Sequence, residues 1–514
     1  MRILFVMRNH GYLRNYASTI RLLASRGHEV VVGSRGPERH MQVDTPGYLS
    51  ELMREFPTVT VIDLPKRRDR WRPLAMAVRA VRNALRYRHP VLRDARALSQ
   101  RAEAHLAREA PRLSGRGLPQ RWPVAAFVSR LAAVVEAAIP TDPHIDAVVG
   151  SIAPDVIVVT PLVDFESYQI DYVKTAKRLG IPASMAVASW DNLTNKGTVN
   201  VQPDQVIVWN NAQKREAVDL HGVSPERVRV TGAQLFDDWF DRRPSQSREA
   251  FCQRVGLDPA RPFLLYLCSS LFIAPDEVSY VRTWLQGLRA SGYSSLHDCG
   301  VLIRPHPGNA SPWRDIDLSA LGNVTIWPRG GDMPLFDASK ADYFDSLFHS
   351  VGVVAVNTTG MIEAGIVGRM SFTLLAPEFA ATQGGTVHFE HLTSPGFLRT
   401  ATTVEEHYLQ VDAALRQPSN AHLLEPFIRE FVRPFGLDVP ATPMVVNAIE
   451  ELGHSRRVSV PDGLSTRLLR TMLLPALERY VTQGASKDAR DRRPAVGKRK
   501  PLRTDSARPR SNSA

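Results

Sequence analysis

The stretch Val356-Asn357-Thr358-Thr359-Gly360-Met361-Ile362-Glu363 joins two apolar runs through four small or polar residues and places one acid just beyond them. Such a junction reads as a strand turning into a helix, whose N-terminus offers free backbone N–H groups and the positive end of a dipole. A diphosphate fits a seat made by Asn357, Thr358, Thr359 and Gly360, with the threonine hydroxyls as added donors. Glu363 does not complete a capping box, which needs Ser or Thr three residues before the acid; Gly360 stands there and Thr359 is four before. A carboxylate beside an anion needs hydroxyl donors, and a ribose supplies them.

Other loops carry similar chemistry. In Arg304-Pro305-His306-Pro307-Gly308 two prolines stiffen the chain, so Arg304 and His306 (as an imidazolium) can face one anion. The alternative is a rigid surface turn. Cys268-Ser269-Ser270 offers Ser269 and Ser270 where a phosphate could approach the backbone. Arg8-Asn9-His10-Gly11 puts an imidazole suited to general-base work on a hydroxyl after the first apolar strand; a loop histidine bonded to backbone is the competing reading. Ser189 to Gly197 is densely polar. Asp191 could serve as a base, Trp190 as a stacking surface, Asn192 as a cleft donor and Lys196 as a phosphate partner, or the loop could be an Asx-rich turn satisfying itself. Asp164 and Glu166 read as helix-start acids. Gln383, within Thr382-Gln383-Gly384-Gly385-Thr386, could close over a ligand or simply connect.

Continuous apolar strands must position these loops. Arg2–Met7, 28–33, 58–64, 154–160, 183–188, 205–209 and 228–231 alternate with helical patterns, and the series restarts at 263–268, 300–304, 324–327, 352–356 and 371–375. Continuous rather than alternating apolar strands imply parallel sheets covered on both faces. The reading is an α/β chain of two tandem Rossmann-like, doubly wound domains, in which ligands sit beyond the carboxyl ends of the strands. The first domain spans 1–240, with a helical basic insertion at about 65–150; the second spans 262–440. Helices over 441–484 follow, then a basic tail, 485–514, whose composition predicts disorder.

At 514 residues the chain is long enough for two cores. Cys252, Cys268 and Cys299 show neither paired spacing nor a histidine cluster, which excludes a disulfide framework and a zinc site. No run of about 18 apolar residues reads as a spanning helix, and a cytoplasmic location is expected. Net charge is +12 and locally concentrated. Residues 66–93 hold ten Lys or Arg against Asp69 alone, implying an anionic partner or a solvated helix face.

The two-domain pattern resembles the GT-B glycosyltransferases, nucleotide-sugar transferases of the bacterial surface-polysaccharide type, and the related CDP-glycerol glycerophosphotransferases. Arg304, His306 and Pro307 resemble a histidine–proline motif that contacts nucleotide phosphates; Asn357, Thr358, Thr359 and Glu363 resemble the nucleotide-binding segment; His10 matches the position of an acceptor-side base, with Asn9 beside it. There are departures: Met370 stands seven residues after Glu363, where retaining enzymes carry a second acid, and the Gly-Thr-Arg-Pro-Glu opening of the 2-epimerases of this fold is absent.

The resemblance implies an enzyme that moves a sugar from a nucleotide-sugar donor to a glycan or lipid-linked envelope acceptor, with inversion and with His10 or Asp191 as base. No Asp-x-Asp-type pair appears where a diphosphate-bound cation would want it, so no metal and no cofactor beyond the nucleotide-sugar co-substrate is expected. Peripheral contact with the inner face of an anionic membrane would run through 66–93, and no specific nucleic-acid partner is expected. The alternatives are a CDP-glycerol-type transferase, an epimerase and a non-catalytic binding protein.

Overall fold

The apolar run Arg2–Met7 is strand β1, buried from Ile3 onward. It lies between two parallel neighbours, β2 (Glu29–Ser34) and β4 (Val156–Thr160), with Phe5 level with both Val32 and Val158. Beyond them come β3 (Val59–Asp63) on one side and β5 (Ala183–Ala186), β6 (Gln205–Val208) and β7 (Val228–Val230) on the other. The sheet order is β3-β2-β1-β4-β5-β6-β7, parallel throughout. The computed structural model describes residues 1–36, 45–114, 117–393, 396–416, 421–455, 463–472 and 474–480. The tail 485–514 lies outside the described residues.

The second sheet repeats the plan around β8 (Phe263–Leu267), flanked by β9 (Gly300–Arg304) and β11 (Gly352–Ala355). With β10 (Val324–Ile326), β12 (Ser371–Leu374) and β13 (Leu398–Ala401) the order is β10-β9-β8-β11-β12-β13, again parallel. The two doubly wound α/β domains expected from the apolar runs are present. Strand β13 was not foreseen: it is short, carries Arg399 on its exposed side and closes the edge of the sheet. Helix Ala441–Gly453 crosses back to the first domain, where Val445 and Ile449 join a core with Ile3, Phe5 and Ile20.

In each sheet the chain order reverses at the central strand, so the crevices beyond β1 and β8 are the expected ligand positions. The 65–150 region is helical, comprising mainly Arg72–Arg86, Arg96–Glu109, Trp122–Ala138 and Pro143–Ile152. Part of its basic character is internal. Arg79 is buried and reaches Glu136 (2.9 Å) and Asp171 (2.7 Å), while Arg67 bonds Asp69 (2.7 Å) and Asp171 (3.2 Å). Arg82 donates to the Asn200 carbonyl, and the buried Arg86 to those of Leu193 and Lys196. Four of the ten cations of 66–93 hold the first domain together, and Arg86 and Tyr87 (OH to the Lys196 carbonyl, 2.8 Å) fix the shape of the 189–197 loop, while Arg68, Arg70, Arg72 and Arg93 stay exposed.

Candidate functional site

A cavity of about 220 Å³ opens between the domains, beyond the carboxyl ends of both central strands. Arg304, Pro305, His306 and Pro307 form one wall; Thr358, Thr359, Gly360 and Glu363 form another; Arg14, Ala188 and Ser189 face them from the first domain. Six residues that the sequence singled out as nucleotide ligands thus converge, although they come from segments fifty residues apart.

Helix Gly360–Ile366 starts at the cavity, with Thr359 as its N-cap. The Thr359 hydroxyl makes no capping bond; it accepts from Trp190 Nε1 of the first domain at 3.1 Å. Gly360 is required by packing, because a Cβ there would stand 2.5 Å from Leu267 Cδ1 and 2.9 Å from the Tyr343 hydroxyl. That hydroxyl donates to Glu363 at 2.6 Å. Burial pushes the Glu363 carboxyl up from its ordinary range, opposed by the Tyr343 hydrogen bond and the Arg14 guanidinium.

Arg304 is buried over the Tyr343 ring and spends Nη1 on Asp342 (2.7 Å) and Ser346 (2.9 Å). Its Nη2 has no hydrogen-bond partner among the described residues, leaving a fixed donor at the cavity wall. His306 departs from expectation. Burial, helped by Arg14, lowers it to about 4, so it is neutral rather than an imidazolium. Its Nδ1 accepts from Gly308 N–H at 3.0 Å, which leaves the proton on Nε2 as a neutral donor.

The other sequence candidates stand outside this wall. The Ser269 N–H is turned to Glu277 (2.7 Å), and the Ser270 carbonyl accepts from Ile273 N–H, so neither serine lines the cavity. Asn357 points inward, donating to the Thr382 carbonyl (3.2 Å) and to His388 Nε2 (3.3 Å). Gln383 is buried and spends its amide on the Val356 carbonyl (2.9 Å) and Thr373 Oγ1 (2.8 Å), which makes it a strut rather than a lid.

The 189–197 loop is mostly self-satisfied. Asn192 accepts from the Ala188 and Ser189 N–H groups, and Asp191 from the Asn192 and Asn195 amides. Burial raises the Asp191 carboxyl, but Lys196, His388 and its hydrogen bonds outweigh it, so the group stays ionised and weakly basic. Lys196 lies 3.7 Å from Asp164 and is not a free phosphate ligand. Trp190 is buried edge-on to His388, leaving no open face for stacking. Asn9 caps the turn after β1 by accepting from Gly11 N–H (2.9 Å). His10 sits toward Gly36 and Asp63, off the cavity lining. Burial lowers it against the pull of Asp63, and neither ring nitrogen has a hydrogen-bond partner among the described residues.

Four contributors escaped sequence reading. Arg14 lines the cavity and touches Met333 across it. Tyr343 orients Glu363, Asp342 anchors Arg304, and His388 sits behind Trp190 and Asn357. Only Arg14 had a usable signal, as a second arginine on the loop that carries His10.

No family model and no curated protein matches the chain in sequence. Its fold does match solved structures. A UDP-GlcNAc 2-epimerase from Neisseria meningitidis, solved with UDP-GlcNAc, is 11% identical, with 88% of this chain and 100% of that one covered at a TM-score of 0.51. A glycosyltransferase from Rickettsia africae is 10% identical, with 88% and 99% covered at 0.51. The S. aureus MnaA–UDP structure is 12% identical, with 90% and 100% covered at 0.50. Together with the two parallel sheets, these similarities define a GT-B fold spanning both domains.

Proposed function

We propose that the chain is a nucleotide-sugar enzyme of the GT-B type, a glycosyltransferase that passes a sugar to an envelope or polysaccharide acceptor. One observation carries this reading: Arg304, His306, Thr358, Thr359 and Glu363 line a single interdomain cavity. The Arg304 Nη2, the His306 Nε2–H, the threonine hydroxyls and the helix start at Gly360 suit a diphosphate, and Glu363 suits ribose hydroxyls. The acceptor hydroxyl attacks the anomeric carbon from the opposite face while the bond to the diphosphate oxygen breaks, which inverts the centre. His10 is the residue proposed to take the hydroxyl proton: burial keeps it neutral near pH 7 and its ring nitrogens have no partner among the described residues, but it lies off the cavity lining, toward Gly36 and Asp63, so the acceptor must reach it from the first-domain side. The nucleoside diphosphate leaves with its charge held by the cavity donors.

A second reading, an epimerase acting on a nucleotide sugar without an acceptor, is favoured by the fold similarity to UDP-GlcNAc 2-epimerases. A CDP-glycerol-type transferase rests on the Arg304–Pro307 motif alone. Thermal-shift measurements with UDP, CDP and GDP and their sugar conjugates separate these. A rise in Tm with one nucleotide diphosphate is expected; no rise with any overturns the nucleotide reading. Selective protection by CDP turns it toward the glycerophosphate class, and turnover of UDP-GlcNAc without acceptor turns it toward the epimerase.

A further inference from the structure

Helix Trp122–Ala138 buries Ala125 and Glu136 toward the first domain and turns Val124, Phe127, Leu131 and Val134 to solvent, with Phe127 at 59% and Leu131 at 51% exposure. Their spacing places them on one stripe. Beside it, helix Leu464–Met472 exposes Leu464 (78%), Leu468 and Met472 (72%), again one above another. The two helices are joined: Leu469 and Leu474 pack with Ala132 and Val135, and Arg470 Nε donates to the Ala138 carbonyl at 2.9 Å. Large apolar side chains left in water forgo the free energy of burial, and two adjoining stripes of them mark a surface that something covers.

The surrounding charge says what. Arg121, Arg130 and Arg467 are exposed at the edges of the stripes. From 117 to 138 the only acid is Glu136, buried against Arg79, and from 463 to 477 there is none. The helical stretch 474–480 ends where Arg112 donates to the Tyr480 carbonyl (3.0 Å), next to the turn that leads into Trp122. The sequence that follows, 485–514, carries ten Lys or Arg against three Asp. A second copy of the chain would set these cations against themselves. An anionic bilayer takes both features at once, apolar stripes at the acyl boundary and arginines at the head groups. Among the described residues no single helix is long and apolar enough to cross a membrane, and the pair Trp122–Ala138 and Pro143–Ile152, which passes by length and composition together, is bent by 68°.

We infer that the face built by Trp122–Ala138 and Leu464–Met472 docks onto an anionic lipid bilayer. The inference does not depend on the nucleotide reading. The full chain is sedimented with vesicles of phosphatidylcholine alone and with vesicles that also contain phosphatidylglycerol. Binding to the anionic vesicles is expected to be about tenfold stronger and to weaken with added salt. The double variant Phe127→Glu/Leu131→Glu, and separately Leu468→Glu, should each lose about tenfold or more of that binding with Tm and nucleotide thermal shifts unchanged, because these side chains are exposed. Absence of vesicle binding by the parent, or equal binding by the variants, overturns the assignment. So does a parent dimer that the double variant dissociates without any vesicle binding, which would give the face to a second copy.

Discussion

Trp190 Nε1 donates to Thr359 Oγ1 at 3.1 Å across the interdomain cleft. One residue lies near the start of the polar loop after β5 and the other caps the helix after β11, so the bond ties the first-domain crevice to the proposed phosphate seat. By accepting from Trp190, the threonine oxygen leaves its own O–H as a donor toward the cavity. Trp190→Phe keeps the ring against His388 and removes only the donor. It should cost about 1 kcal/mol of stability and lower nucleoside-diphosphate affinity about fivefold. Urea denaturation and titration calorimetry read the two effects separately.

Glu363 gives a sharper test of the ribose assignment. Glu363→Ala should lower nucleotide affinity by roughly one to two decades, the worth of hydrogen bonds to a charged acceptor, beyond the modest loss of Tm from leaving the Tyr343 hydroxyl unpaired. Affinity at the level of the parent would remove the ribose role.

The same carboxylate predicts a pH dependence. Ribose hydroxyls need the ionised form, and burial raises this group above the ordinary carboxylate range. Affinity should therefore decline on acidification at a higher pH than for an exposed glutamate. Tyr343→Phe removes the hydrogen bond that holds the group down, so the decline should move to still higher pH. Affinity measured across pH in both proteins checks the direction.

The strand pattern was legible because parallel strands covered on both faces need apolar side chains in succession, as in Val156–Thr160 and Gly352–Ala355. Strand β13 was not, since an edge strand tolerates Arg399 and Thr400. The loops that turn out to line the cavity were found by the rule that ligands sit beyond strand ends. Which way each side chain turns was not encoded locally. Asn357 reads in sequence as part of a diphosphate seat and Gln383 as a cleft residue, yet the carbonyls of Thr382 and Val356 claim their amides. Arg79 and Arg86 sit in what reads as a solvated basic run, because their partners Asp171 and Leu193 are about a hundred residues away.

The buried pairing of Arg79 yields a stability prediction. Arg79→Met would leave Glu136 and Asp171 with their charges in a dry interior, keeping only Lys174 and Arg67 nearby. Removing one partner of a buried pair costs on the order of 3–5 kcal/mol. A large drop in Tm is expected. Arg72→Met, at the exposed start of the same helix, should leave Tm unchanged.

Glu277 should set a pH dependence of the whole fold. It is buried behind the β8 loop, accepting from Ser269 N–H (2.7 Å) and the Tyr266 hydroxyl (3.2 Å), and burial pushes it up to about 7. An unfolded glutamate ionises near its ordinary value of 4.5. Below that value both states are protonated and the residue is neutral toward stability. Between it and about 7 the unfolded chain releases the proton while the folded chain keeps it, so stability falls with rising pH, by about 3 kcal/mol in total, and then levels. Glu277→Gln preserves the shape of the side chain and an acceptor for Ser269 N–H while removing the titration. Its unfolding free energy, followed by urea denaturation from pH 5 to pH 8, should lack that decline; a parallel decline in parent and variant would assign the pH dependence to other groups.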